Sequence, residues 1–201
     1  KYFDIDLGDE TPASVFVKLR SLSPSFLLES IERGVDQSRY SFLGLGVSSV
    51  VEVNQGSFSF NSEKMASPES QDEMMELFRT VLKDLPDLSP QIQGIPFSGG
   101  IVGFSSYDMV RYFESLPVEE SKSGLLNPPD CAYLAPLSLL VFDHEDNSMA
   151  LLHAGEEHDR NKLKTNILEL LKTEISESTG QKCSYSQPTA NVEEDVFNKA
   201  V

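Results

Sequence analysis

Between Val47 and Phe60, apolar side chains fall on alternate positions. Val51 and Val53 lie before Gln55-Gly56, and Phe58 and Phe60 after it. A period of two is that of a half-buried strand, and a two-residue connection ending in glycine is hairpin chemistry. Strands are therefore predicted over Val47–Asn54 and Ser57–Phe60. Ser25–Ile31 and Tyr40–Leu45 are also strand-like, as is a long apolar run, Asp130–Phe142, bent near Pro136. Met149–His153 is its expected hairpin partner across "DHEDNS". Elsewhere the period lengthens. Met74, Leu77, Phe78, Val81 and Leu82 are three and four apart, which predicts a helix over Asp72–Lys83. Leu163, Ile167, Leu170 and Leu171 do the same within Glu156–Ile175. Thr11-Pro12 opens a short helix through Arg20, with Thr11 as N-cap and proline at the first helical position.

The remaining segments punctuate these elements. Asn61 to Gln71 is polar, and Asp84 to Pro96 reads as a loop because three prolines and a glycine break its pattern. Phe97 to Pro117 reads as a strand running into a helix, followed by the surface loop "EESKSGLLNPP". Residues 1–180 form one region, 181–190 have linker composition, and 191–201 begin a new helix. In that helix Asn191, followed three residues later by Glu194, is a capping-box-like signal. The expected fold class is α+β, with mostly antiparallel strands and flanking helices.

Charge narrows the partners. Lys and Arg number 16 against 32 Asp and Glu, a net charge of −16. Such a surface repels phosphate backbones and anionic lipid, so neither nucleic acid nor membrane is an expected partner. No apolar run approaches the ~18 residues of a membrane span, and no signal peptide opens the chain. Cys131 and Cys183 lack zinc spacing and read as reduced thiols of a cytoplasmic protein. The first residue is Lys1, which suggests a longer product.

Candidate chemistry is sparse. "GGIVG" (Gly99 to Gly103) lacks the lysine of a phosphate loop; it reads better as glycine letting a strand pass close to another backbone. Asp143, His144, Glu145 and Asp146 cluster in "FDHEDN", where a polar turn is the commoner meaning and metal-ligand spacing fails. His153 and His158 read as strand-end and surface histidines. No GxSxG elbow exists. Glu29-Ser30, at the end of the apolar run Phe26-Leu27-Leu28, stands out. A carboxylate can hold an ammonium group, and a hydroxyl with nearby backbone N–H groups can hold a carboxylate, which together suit a free amino acid. Taken alone, an ordinary strand end explains the pair more simply.

Four stretches together change that balance. "TPASVFVKL" with "SFLLESIERGVDQSRYSFLG", then "FSGGIVGFSSYDMVRYFESLP", then "LAPLSLLVFDHEDN" resemble, in order and spacing, the N-terminal region of the anthranilate synthase large subunit, component I, of the chorismate-utilising superfamily. The closing "NVEEDVFNKAV" resembles the helix that opens the family's chorismate-binding domain. The resemblance implies an enzyme that converts chorismate and ammonia to anthranilate and pyruvate in tryptophan synthesis. It also implies Mg²⁺, whose ligands would lie outside this chain, and a glutamine amidotransferase subunit that delivers the ammonia. The N-terminal region would help build a sheet sandwich and carry part of the site for L-tryptophan as feedback inhibitor. Leu28, Glu29 and Ser30 of the LLES motif carry over directly, and Tyr40 and Ser41 by position. No catalytic residue and no metal ligand is expected in this chain, which by itself would lack lyase activity. Some apolar surface would be left open for the remainder of the enzyme. The alternatives are an aminodeoxychorismate (4-aminobenzoate) synthase large subunit and a stand-alone amino-acid-binding module.

Overall fold

A computed structural model describes residues 2–29, 39–114, 128–174, 184–190 and 192–200. Strands β1 (Ile5–Asp6), β2 (Pro24–Leu28), β3 (Tyr40–Leu45), β4 (Ser49–Asn54), β5 (Ser57–Phe60) and β6 (Glu63–Lys64) precede helix α2, and β7 (Val102–Ser105), β8 (Cys131–Ala135), β9 (Ser138–Asp143) and β10 (Ser148–His153) follow it. The helices are α1 (Pro12–Lys18), α2 (Gln71–Asp84), α3 (Glu157–Leu171) and α4 (Glu194–Ala200). Two antiparallel five-stranded sheets result, ordered β1-β10-β9-β3-β2 and β6-β5-β4-β8-β7. The α+β expectation holds.

One expected strand proves to be two. Instead of bending near Pro136 within one sheet, Asp130–Phe142 divides into β8 of the second sheet and β9 of the first. Proline cannot donate to a ladder, so a sheet change is a natural place for it. The neighbouring chain changes sheet at the same level. β3 pairs with β9 as far as Leu45↔Ser138, and β4 pairs with β8 from Ser49↔Ala135. Ser48 joins the two crossings: its N–H donates to the Ala135 carbonyl at 2.9 Å, and its hydroxyl to the Ala135 and Pro136 carbonyls at 3.3 Å each. Gly46 turns beside them with φ +64°, and an added Cβ would sit 3.2 Å from the Leu137 Cβ.

The first sheet is covered on both faces. On one, Val15 and Leu19 at α1 and Ile167 of α3 pack on Leu43, Leu45, Leu140, Phe142, Met149 and Leu151. Leu163, Leu170 and Leu171 flank Ile167, as the helical spacing predicts. Helix α1 begins as expected, with reciprocal Thr11 and Ser14 capping bonds and Pro12 in its first turn. On the other face, Phe42, Leu139, Val141, Ala150 and Leu152 pack under Leu88, Ile92, Ile95 and Phe97. The segment between α2 and β7 is thus a loop by conformation but a core layer by packing. Ser89 fixes it to the sheet by exchanging backbone hydrogen bonds with His153 at 2.9 and 2.8 Å. The second sheet buries Val51, Val53, Phe58 and Cys131 under Met74 and Val81 of α2 and Met109.

Other boundaries differ from the sequence reading. β2 stops at Leu28 rather than Ile31, and residues 30–38 lie outside the described ones. The stretch Phe97–Pro117 holds only a four-residue strand followed by a 3-10 turn, Tyr107–Tyr112; residues 115–117 are not among those described. Two-residue strands β1 and β6 are too short to leave a period in the sequence. Leu82 is exposed because the core-facing stripe of α2 runs through Met74, Leu77, Phe78 and Val81. Helix α3 ends at Leu171; Ile175, Asn191 and Cys183 fall outside the described residues. Cys131 is a free thiol, buried, its pKa pushed up to about 11 by burial.

Candidate functional site

The candidate residues gather where β2 ends and β3 begins. β2 is an edge strand, and its register sets Leu28 opposite Phe42 and Leu27 opposite Leu43. Side chains alternate along a strand, so Leu28, Phe42 and Tyr40 share one face of the sheet, and Ser41 belongs to the other. Leu28 is 42% exposed, and Glu29, just beyond the strand, is exposed too. Tyr40 is half-buried against Phe3, with ring centroids 6.4 Å apart. Leu28 and Tyr40 therefore share one face at this corner, and Glu29 follows Leu28 just past the strand end. Ser41 is not with them: it is buried, and its hydroxyl lies 2.8 Å from His144 Nε2. Ser30 lies outside the described residues.

The corner is held by residues that sequence reasoning left unassigned. Arg39 donates from Nε to Asp143 Oδ1 at 2.9 Å and from Nη2 to Oδ2 at 2.7 Å, a bidentate fork. Its Nη1 pairs with Glu145 at 2.6 Å, and its guanidinium carbon lies 5.1 Å from the centre of the Tyr40 ring. The His144 N–H donates to the Arg39 carbonyl at 2.9 Å. The "FDHEDN" stretch is the polar β9–β10 turn that its composition suggests, and it clasps the start of β3. Burial by itself would raise the Asp143 carboxyl; hydrogen bonds from Arg39 and from the backbone N–H groups of Glu145 and Asp146 outweigh this, and its pKa falls below the ordinary value. The Arg39 pKa is raised, first by its hydrogen bonds to Asp143. Among the described residues, no three His, Cys, Asp or Glu side chains stand close enough to hold a metal ion. The sequence signal for this clasp was present but divided: Arg39 and Asp143 are 104 residues apart.

Two further candidates resolve structurally. Gly103 is the close-approach glycine that "GGIVG" suggested: a Cβ there would lie 2.0 Å from the Ala132 carbonyl oxygen. His153 ends β10 as expected but is buried, not superficial, with Nδ1 2.8 Å from the Ser138 hydroxyl. A hollow of about 380 Å³ nearby, lined by Tyr2, Ser89, Pro90, Gly155, Glu157 and Arg160, includes none of the corner residues. No helix among the described residues is long and apolar enough to cross a membrane.

The two antiparallel sheets, joined by chain segments that cross between them, define an α+β domain. The solved structure of anthranilate synthase component I from Streptococcus pneumoniae TIGR4 superposes with a TM-score of 0.56 over 86% of this chain and 37% of that one; at 19% identity the likeness is one of fold. No family model matches the chain. Anthranilate synthase component 1 of Thermus thermophilus is 39% identical over 161 residues, 78% of this chain and 32% of the relative. That of Acetivibrio thermocellus is 29% identical over 213 residues, 96% of this chain and 41% of the relative. The chain belongs to the anthranilate synthase component 1 family. It spans about a third to two-fifths of the length of these two relatives.

Proposed function

We propose that this chain is the N-terminal, tryptophan-responsive region of an enzyme that forms anthranilate and pyruvate from chorismate and ammonia. A glutamine amidotransferase subunit would supply the ammonia. The observation that carries this reading is the 39% identity to the Thermus thermophilus component 1 over most of the chain. The corner supports the regulatory part. Glu29 supplies an exposed carboxylate for an ammonium group, Leu28 an open apolar side chain and Tyr40 an aromatic face, all at one strand end. Ser30 would add a hydroxyl. Ser41, turned to the opposite face, would act by fixing β3 through His144 rather than by touching the ligand. The resemblance puts the Mg²⁺ ligands in the remainder of the enzyme, so no chemical step is assigned to the residues of this chain.

Inhibition requires that tryptophan favour one arrangement of the enzyme over another, since equal affinity for both shifts nothing. The test follows anthranilate fluorescence from chorismate, ammonia and Mg²⁺, using the full-length gene product and rising L-tryptophan. Fluorescence also separates anthranilate from 4-aminobenzoate. Glu29→Ala and Ser30→Ala are each expected to raise the half-inhibiting concentration by about tenfold or more, within the usual range of allosteric coupling, with the KM for chorismate retained. Unchanged sensitivity in Leu28→Ala, Glu29→Ala and Ser30→Ala alike would remove the site from this corner.

A further inference from the structure

Acidic side chains outnumber basic ones two to one in this chain, yet one hollow gathers hydrogen-bond donors. Its walls come from Ser89 and Pro90 of the loop over the first sheet, Gly155 after β10, and Glu157 and Arg160 of α3. At about 380 Å³ it is of the size that holds a small molecule. His153 stands behind Gly155. The residue is 9% exposed, and a Cβ on Gly155 would lie 3.0 Å from its Nε2. Glycine there leaves this nitrogen open to the hollow, where a side chain would cover it.

The other ring nitrogen fixes what Nε2 can do. Nδ1 is 2.8 Å from the hydroxyl of Ser138, which is buried. That hydroxyl has no other acceptor among the described residues, so it donates to Nδ1; the reverse arrangement would leave a buried O–H unpaired. The ring proton then lies on Nε2, which has no partner among the described residues. A nine-tenths buried imidazole thus turns an unpaired N–H toward the hollow. Helix α3 adds more donors. Glu156, at its N-cap, makes no side-chain cap, and the N–H groups of Glu157 and His158 have no partner among the described residues. The helix start favours an anion. Arg160 is 26% exposed, and Glu157, the carboxylate within ion-pair reach, is 3.7 Å away, too far for a hydrogen bond, and 80% exposed. Its planar fork is therefore free to take two oxygens of one acid group.

We propose that this hollow binds a small oxyanion, the carboxylate or phosphate end of a compact metabolite, between His153 Nε2, Arg160 and the first N–H groups of α3. Each of these groups donates and none accepts, which selects for acceptor oxygens and against a cation. Glu157 works against the same ligand, because its carboxylate lies at the rim. Leu28, Glu29 and Tyr40 take no part, so the proposal stands apart from the tryptophan reading.

The test is equilibrium dialysis of the full-length gene product against labelled inorganic phosphate and, separately, labelled acetate, at constant ionic strength. Saturable uptake of at least one of the two ions is expected. Arg160→Gln should weaken it about tenfold or more, through the loss of a charged hydrogen bond. Glu157→Gln should strengthen it about two- to fivefold, by removing a partly screened like charge. Misfolding cannot produce shifts of opposite sign in these two neighbours, and both variants should melt with the parent. Preference for phosphate assigns the site to a phosphate ester and preference for acetate to a carboxylate, and either result supports the proposal. Absence of saturable uptake of both ions overturns it, as does uptake that Arg160→Gln leaves unchanged.

Discussion

Arg39 and Asp143 meet in a bidentate pair, although the two residues are 104 apart in sequence. The two partners differ in exposure. The Asp143 side chain is 2% exposed and that of Arg39 is 39%. Removing the arginine leaves a carboxylate that water cannot reach; removing the carboxylate leaves a guanidinium that water can. Arg39→Met is therefore expected to destabilise more than Asp143→Asn, for which we expect a loss of about 1–3 kcal/mol from weakened charged hydrogen bonds. Thermal melts of both variants check the order, and the reverse order would contradict the burial argument.

The same pair sets an acid limit. The folded-state pKa of Asp143 is depressed, so its contribution is complete above the unfolded value of about 3.9 and is lost as pH falls through the folded one. Glu10 is depressed as well: burial opposes the shift, and hydrogen bonds from Lys18 and Ser14 outweigh it. Stability should fall below about pH 4, and Asp143→Asn should flatten part of that fall in urea melts taken across pH 2–6. An unaltered slope in the variant would remove Asp143 from the account.

At the alkaline end, Tyr112 is the group to follow. Its hydroxyl donates to Asp130 at 2.7 Å and accepts from the Gly56 N–H at 2.8 Å, while Asp130 also accepts from the Gln55 N–H at 2.9 Å. These bonds hold a hairpin turn in which Gln55 and Gly56 have φ of 48° and 81°. Burial, then Asp130, pushes the Tyr112 pKa up to about 12. A raised folded pKa means that the stabilisation is complete below the unfolded value of about 10 and is lost as pH rises through about 12. Tyr112→Phe should be less stable at neutral pH by about 1–3 kcal/mol, because the turn N–H loses its acceptor, and should lose less between pH 10 and 12. Stability titrations read both effects.

Two glycines permit close approaches of different kinds. A Cβ on Gly44 would lie 2.4 Å from the Phe26 ring, a side chain able to move; on Gly103 it would lie 2.0 Å from a backbone carbonyl oxygen. Gly44→Ala should cost about 1–3 kcal/mol, and a second change, Phe26→Leu, should recover part of it. Gly103→Ala should cost more and have no single side-chain rescue. Comparable losses in the two variants would contradict this distinction.

Ligand contact and support at the corner can be told apart by stability. Glu29 is exposed, so Glu29→Ala should change stability by no more than about 0.5 kcal/mol. Ser41→Ala removes a part-buried hydrogen bond to His144 and should cost about 1 kcal/mol, a fall of about 2–4 °C in a domain of this size. If Glu29→Ala melts as early as Ser41→Ala, its effect on tryptophan inhibition is structural.

The sequence by itself determined whatever local periodicity records. The hairpin around Gln55-Gly56, the faces of α2 and α3, the capped start of α1 and the polar β9–β10 turn are all legible because neighbouring residues carry their pattern. The recognisable "LLES" and "RYSF" pieces also pointed to the family. Only the tertiary structure decided which sheet each strand joined. The apolar run Cys131–Phe142 reads the same whether it stays in one sheet or crosses at Pro136, since both halves are predominantly apolar. It took the folded chain to bring Arg39 to Asp143 and to turn Ser41 away from Tyr40, because register is fixed by partners distant in sequence. Likewise, a period of two shows that a strand has two faces, but not which face remains uncovered; for Val50, Leu134 and Phe104 that was settled by helix α2 packing on the other side.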